Sequence, residues 1–180
     1  MLGFQDETWW TRLAQPGLFA WAGEQPLRLY PNERGGGREA LAGYGLLRAD
    51  TDAMLLRFVE GRPVSQVTED YLAWLCTRFA AEGKKVFVLV GDNASWHVSK
   101  RVRRWIGTYN RHVKRDGGCQ LRVCYLPVKA PWLNPSEPKW LHGKRAIVEP
   151  ERKLTATEVK LRVHEYYHCE PQAPLTQNAA

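Results

Sequence analysis

Apolar positions along this chain follow two different rhythms. Over residues 2–7, 40–47 and 54–59 they fall in short runs between polar breaks, the mark of strands. Residues 18–21 and 27–30 are plausible shorter partners. Between them and the 40–47 run lies a connector over 31–38, with Gly35, Gly36 and Gly37 in a row. A turn at 48–52 separates two of the strands, so the first third predicts an antiparallel meander. The rhythm then changes. Val67, Tyr71, Trp74, Leu75 and Phe79 share one face of a helix over 65–82, and Gly83 supplies its stop. Val86-Phe87-Val88-Leu89-Val90-Gly91 has no alternation and predicts a strand buried on both faces. A second helix over 99–115 carries Val102, Trp105, Ile106, Tyr109 and Val113 on its apolar side, and Asp116-Gly117-Gly118 breaks it. Residues 121–126 read as another strand. A third helix starts near Asn134 and a fourth covers 155–168. Strands first, then alternating helix and strand, predict an α/β domain.

The end of the unbroken strand carries the first candidate chemistry. Asp92-Asn93-Ala94-Ser95-Trp96-His97 follows Gly91 directly. Open α/β sheets hold their ligands at such carboxyl ends. Two other segments deliver acids at the edges of predicted elements: Asp6 in Gly3-Phe4-Gln5-Asp6-Glu7, and Glu137 in Asn134-Pro135-Ser136-Glu137. Three acids from distant positions suit a divalent cation, because Mg²⁺ takes oxygen ligands and keeps waters for a substrate phosphate. Two such ions about 4 Å apart serve phosphodiester chemistry.

The contexts of these acids are more specific than their spacing. Asp-Asn-Ala-Ser-Trp-His at 92–97, followed by Leu126-Pro127 and then Ala-Pro-Trp-Leu-Asn-Pro-Ser-Glu-Pro-Lys-Trp at 130–140, resembles the catalytic core of DDE transposases. The nearest branch is the insertion sequence 630 family of the mariner superfamily. Phe4-Gln5-Asp6-Glu7 matches the segment of that family's first catalytic Asp, and the likeness extends over residues 2–168. The resemblance implies an RNase H-like fold with a mixed central sheet and helices on both faces. It implies Asp6, Asp92 and Glu137 as catalytic metal ligands for two Mg²⁺ or Mn²⁺ ions. It further implies DNA cleavage and strand transfer, with transposon ends and target DNA as partners and a homodimer assembled on DNA. Asn93, His97 and Asn134 are expected to support the acids from behind. On this reading residues 1–150 are the catalytic domain, 151–170 a C-terminal helix packing on it, and the tail from Pro171 disordered. The helix-turn-helix region that such proteins carry at the N-terminus is expected to be absent.

Each residue also has a plainer reading. Asn134, Pro135 and Glu137 make a good helix start, with a cap, a first-position proline and a capping-box acid. Asp92-Asn93 is a common turn pair. Glu7 competes with Asp6 as the ligand, since only one of two adjacent strand residues faces a given side. His97 suits a bond to a carboxylate or a DNA phosphate better than Mg²⁺ ligation.

Seven cations and no acid occupy the second helix from Ser99 to Arg115. Lys100, Arg101, Arg103 and Arg104 are candidates for phosphate contact, against the ordinary alternative of a solvated face. Lys139, Lys144 and Arg145 flank Glu137 and could neutralise a bound strand. Trp132 and Trp140 could stack on bases, with core packing at least as natural for Trp140.

Composition adds less. A net charge of +7 and a pI near 9.4 agree with a polyanionic partner. At 180 residues, with 44% hydrophobic residues and eight Trp, one folded domain is expected. No apolar run approaches the roughly 20 residues of a membrane span, and no leader is recognisable, so a prokaryotic cytoplasm is the expected setting. Cys119 and Cys124 with His164 and His168 could sketch a zinc site, but ordinary reduced thiols suit the scattered Cys76, Cys119, Cys124 and Cys169 better.

Overall fold

The computed structural model describes residues 1–11, 19–22, 25–28, 40–128, 130–147 and 154–177, of which 19–22 and 25–28 are described by backbone alone. The strands are β1 (Leu2–Thr11), β2 (Phe19–Ala22), β3 (Gln25–Arg28), β4 (Ala40–Arg48), β5 (Met54–Glu60), β6 (Val86–Gly91), β7 (Gln120–Tyr125) and β8 (Leu175–Thr176). The helices are α1 (Ser65–Ala81), α2 (Lys100–Asp116), α3 (Ser136–Ile147) and α4 (Ala156–Tyr166). A short 3-10 turn, Pro131–Leu133, leads into α3. Six strands form one sheet in the order β7-β6-β1-β4-β5-β8, and β2 pairs with β3 apart from it. The glycine-rich stretch at 31–38, the residues following Ile147 up to 153, and Lys129 lie outside the described residues.

The sheet is mixed. β1 runs antiparallel to β4 and parallel to β6, and β6 runs parallel to β7. Side chains of the central strands alternate between two cores. Ala42, Tyr44, Leu46, Leu55 and Val59 join α1 and α2 on one face. Leu47, Met54, Leu56 and Phe58 join Trp140, Val159 and Val163 of α3 and α4 on the other. The α/β class, the mixed sheet and the helices on both faces are as the sequence predicts.

Three details differ from expectation. The expected strand over 2–7 is a ten-residue central strand, in which Gln5, Asp6 and Thr8 are buried rather than marking its end. The unbroken run of β6 is not equally covered: Phe87 and Leu89 are buried, while Val88 and Val90 are half-buried. Helix α3 packs over β1 and β4, which leaves that side of β6 more open. The tail expected to be disordered from Pro171 instead sends Leu175 and Thr176 into register with Val59 and Glu60 of β5. Leu175 is buried at 2% exposure, and Arg57 donates to the carbonyl of Ala173, so a buried leucine and an edge-strand pairing hold this segment.

Candidate active site

Asp6 lies within β1, and Asp92 follows the end of β6. Phe4 is in register with Val90. Asp6 and Asp92 are each two residues further on, so continuing that parallel register puts them level. Asp6 is buried at 7% exposure. Trp140 Nε1 of α3 donates to its Oδ2 at 3.1 Å. Gly45 makes room for that indole. A Cβ at position 45 would stand 2.2 Å from Trp140 Cη2, closer than any real contact. Gly143 does the same for Tyr167, whose hydroxyl donates to the carbonyl of Lys139.

Glu137 is exposed at the first turn of α3, one turn before Trp140. The loop ahead of it is pinned to β1, because Asn134 Nδ2 donates to the carbonyl of Gln5 at 3.0 Å. Asn134 Oδ1 accepts from Ser136 N at 3.2 Å and Ser136 Oγ at 2.8 Å. Asn134 thus serves as the cap that the sequence suggests. The reciprocal capping box is found instead at Thr155 and Glu158 of α4.

Electrostatics ties the three acids together. Burial, then the charge of Glu137 and more weakly that of Asp92, pushes the Asp6 carboxyl up to about 7. Burial also raises Asp92, but the hydrogen bonds from His97 and the Ala94 amide, with the charge on His97, outweigh it and hold this carboxyl below its usual value. Lys144, two turns beyond Glu137 on the same face of α3, is lowered by partial desolvation of its side chain and supported in its charged form by Glu137 and Asp6. Asp6, with two acids nearby and only the Glu7 amide and the Trp140 indole as donors, is the acid whose ionised form its surroundings disfavour. Among the described residues no three His, Cys, Asp or Glu side chains lie close enough together to enclose an ion.

Asp6 and Glu7 point to opposite faces of β1. Glu7 turns toward Trp96, Tyr44 and His97. His97 is buried, with Nδ1 2.6 Å from Asp92 Oδ1. Asn93 Nδ2 donates to the carbonyl of Leu126 at 2.5 Å, holding the Asp92 loop against the end of β7. A cavity of about 270 Å³ opens there, lined by Asp92, Ala94, Pro127, Val128 and Pro131 among others. Trp132 stands beyond it, 75% exposed.

The basic residues divide. Lys100, Arg104, Lys144 and Arg145 are exposed. Arg103 is exposed and bonds to Tyr125. Arg101 is held by a two-pronged pair with Glu69 at 2.9 and 3.0 Å, and Lys139 pairs with Asp52; these two are engaged within the chain. Trp140 is buried at 2%, so it packs and does not stack on a ligand. Cys119 is buried and His164 lies against Cys169 at 3.3 Å, so those thiols and imidazoles take other neighbours than the zinc sketch needs. The sequence reading missed Trp140 as the donor to Asp6, and Gln5, Glu7 and Tyr44 as the polar layer behind it. Alternation along β1 was the available signal, since Gln5 and Glu7 must share the face that Asp6 does not.

A mixed sheet with this strand order, covered by helices on both faces, is an RNase H-like fold. The model of the DDE superfamily endonucleases matches residues 2–159, and the chain belongs to that family. No curated protein matches it. Among solved structures, the Mos1 transposase paired-end complex with left transposon end aligns with a TM-score of 0.70 at 13% identity, over 94% of this chain and 48% of that one. The Mos1 mariner paired-end complex with Mn gives 0.69 at 16%, over 94% and 48%. The catalytic domain of Mos1 mariner transposase gives 0.62 at 15%, over 94% and 70%. The chain therefore spans about half the length of the first two. No helix among the described residues is long and apolar enough to cross a membrane.

Proposed function

We propose that this chain is the catalytic domain of a DNA transposase. It hydrolyses a phosphodiester at a transposon end and directs the freed 3′-hydroxyl onto target DNA. Asp6, Asp92 and Glu137 are the carboxylates for divalent metal. The observation that carries this reading is the register of β1 and β6, which levels Asp6 with Asp92, while Trp140 ties the helix bearing Glu137 to Asp6. Family membership supports it. So do the relatives of the same fold, solved as complexes with a transposon end, with Mn and with Mg.

The donor chemistry of the residues fits a hard cation. All three supply oxygen, and the ionised form of buried Asp6, which burial and two nearby acids disfavour, is the form a cation would stabilise. Two bound Mg²⁺ or Mn²⁺ ions would supply an activated attacking oxygen and charge neutralisation at the leaving one. The chain's own part is positioning. β1 and β6 are rigid neighbours in a sheet, which suits in-line phosphoryl transfer. His97 holds Asp92 from behind. Lys144 and Arg145 offer charge for the strand being cut, and Trp132 a face for an unpaired base. Lys100, Arg103 and Arg104 offer phosphate contacts along α2. DNA ends, target DNA and a second copy of the chain assembled on paired ends are the proposed partners. Chromosomal or plasmid DNA as substrate sets the place of action in a prokaryotic cytoplasm.

The test is a supercoiled plasmid incubated with the protein and Mg²⁺ or Mn²⁺, alongside an end-bearing oligonucleotide. Nicking with strand-transfer products is expected. Nicking without transfer would mean a plain nuclease. No metal-dependent cleavage, with DNA still bound, would mean a DNA-binding remnant.

A further inference from the structure

Behind Asp92 lies a buried polar layer that the proposed chemistry does not itself use. Glu7 neighbours Asp6 on β1 but occupies the other face, and its side chain is only 13% exposed. Trp96 Nε1 donates to its Oε2 at 2.9 Å, and Tyr44 is bonded to it as well. The same Oε2 is 3.8 Å from His97 Nε2. The imidazole is then boxed in. Tyr44 and Trp96 both meet it edge to face, the Gln5 amide lies 3.5 Å from Nε2, and the Tyr125 hydroxyl donates to the His97 carbonyl. The remaining ring nitrogen, Nδ1, reaches Asp92. Asp92 itself is past the end of its strand, with its side chain 46% exposed. An exposed carboxylate free to change rotamer loses that freedom on binding a cation, and a prior bond to a fixed imidazole removes much of this loss.

We propose that Glu7 is a positioning residue: with Trp96 it fixes the His97 ring, and His97 Nδ1 holds Asp92 in the rotamer that receives a divalent cation. The proposal rests on Asp92 being a metal ligand. The adjacent pair Asp6-Glu7 then divides its labour across the sheet, one acid on the metal side and one behind the other ligand. A buried carboxylate that served only to satisfy Trp96 and Tyr44 would have no bearing on metal affinity, and this separates the two roles.

The test is a thermodynamic cycle on Mn²⁺ binding, read by the electron paramagnetic resonance of free Mn²⁺, with thermal melts in parallel. Glu7→Gln removes the carboxylate while retaining an acceptor for Trp96. His97→Asn retains a donor near the position of Nδ1 but cannot reach Glu7. Glu7→Gln is expected to weaken Mn²⁺ binding about ten-fold, the usual cost of removing such a supporting group. In the His97→Asn background it should then change affinity by less than about two-fold, since the link is already cut. An unchanged affinity for Glu7→Gln overturns the proposal, and so does the same loss in both backgrounds. Should Glu7→Gln fail to fold, Trp96→Phe, which frees Glu7, is put through the same cycle with the same expectation. Asp92→Asn is the control. If it binds Mn²⁺ as well as the natural protein does, the ligand role of Asp92 falls and this proposal with it. If it loses binding while Glu7→Gln keeps it, only the role of Glu7 falls.

Discussion

Trp140 donates its indole N–H to Asp6 at 3.1 Å, joining the first turns of α3 to the middle of β1. A residue of the hydrophobic core thereby sets the position of a proposed catalytic acid. Trp140→Phe keeps most of the packing and removes the donor. Hydrogen bonds to charged groups contribute about 1.5–3 kcal/mol. The variant should lose about that much stability at pH 8, where Asp6 is ionised, and less at pH 5, where it is protonated. Urea denaturation at the two pH values measures the difference. An equal loss at both would mean that the indole matters for its volume alone.

Asp6→Asn should stabilise the metal-free protein while abolishing cleavage. The folded-state value of about 7 lies above the ordinary 3.8. Between those values the folded state binds the proton more tightly than the unfolded chain. Stability from this group therefore falls as pH rises from about 4 to 7 and stays low above that. At about 1.4 kcal/mol per pH unit the ceiling is roughly 4 kcal/mol. The variant should melt higher than the natural protein at pH 8, with the gap closing toward pH 4. Adding Mn²⁺ should raise the melting temperature of the natural protein and not that of the variant. A variant less stable at pH 8 would contradict this.

The salt dependence of DNA binding separates the cations of α2. Each phosphate neutralised contributes about −0.9 to the slope of log affinity against log salt concentration. Replacing Lys100, Arg103 and Arg104 together with Ala should flatten the slope, by a similar amount on unrelated duplexes. Arg101→Ala alone should leave it nearly unchanged, because Glu69 already engages that guanidinium. A slope that the triple variant leaves intact would make this face ordinary solvated surface.

Sequence pattern exposed most of the scaffold and singled out the three acids now proposed as metal ligands. Helices α1 and α2 follow their apolar periodicity, and the unbroken run of β6 leads directly to Asp92. The length of β1 was hidden because buried polar residues imitate a strand end. The buried side chains of Gln5 and Asp6 only make sense as interior once His97 and Trp140 arrive from distant segments. The pairing of Leu175 with β5 was hidden for a related reason: two residues in a proline-rich tail carry too little pattern to predict a partner across the domain. Local spacing could not decide between Asp6 and Glu7 either. The strand's orientation in the sheet turns Asp6 toward Trp140 and Glu7 toward Trp96 and His97, a property of the whole fold, and the proposal of Asp6 as the ligand rests on it.

The central claim is that Asp6, Asp92 and Glu137 hold metal for DNA strand cleavage. Glu137→Gln probes it most directly, because Glu137 is exposed and its removal disturbs no core packing. Supercoiled plasmid nicking in Mg²⁺ or Mn²⁺ is measured for the natural protein and for this variant, with thermal melts alongside. The expected result is a variant that melts within about 2 °C of the natural protein, binds DNA at least as well and nicks at least about 100-fold more slowly. A variant that nicks at the natural rate would return Glu137 to the role of a helix-start residue and contradict the account.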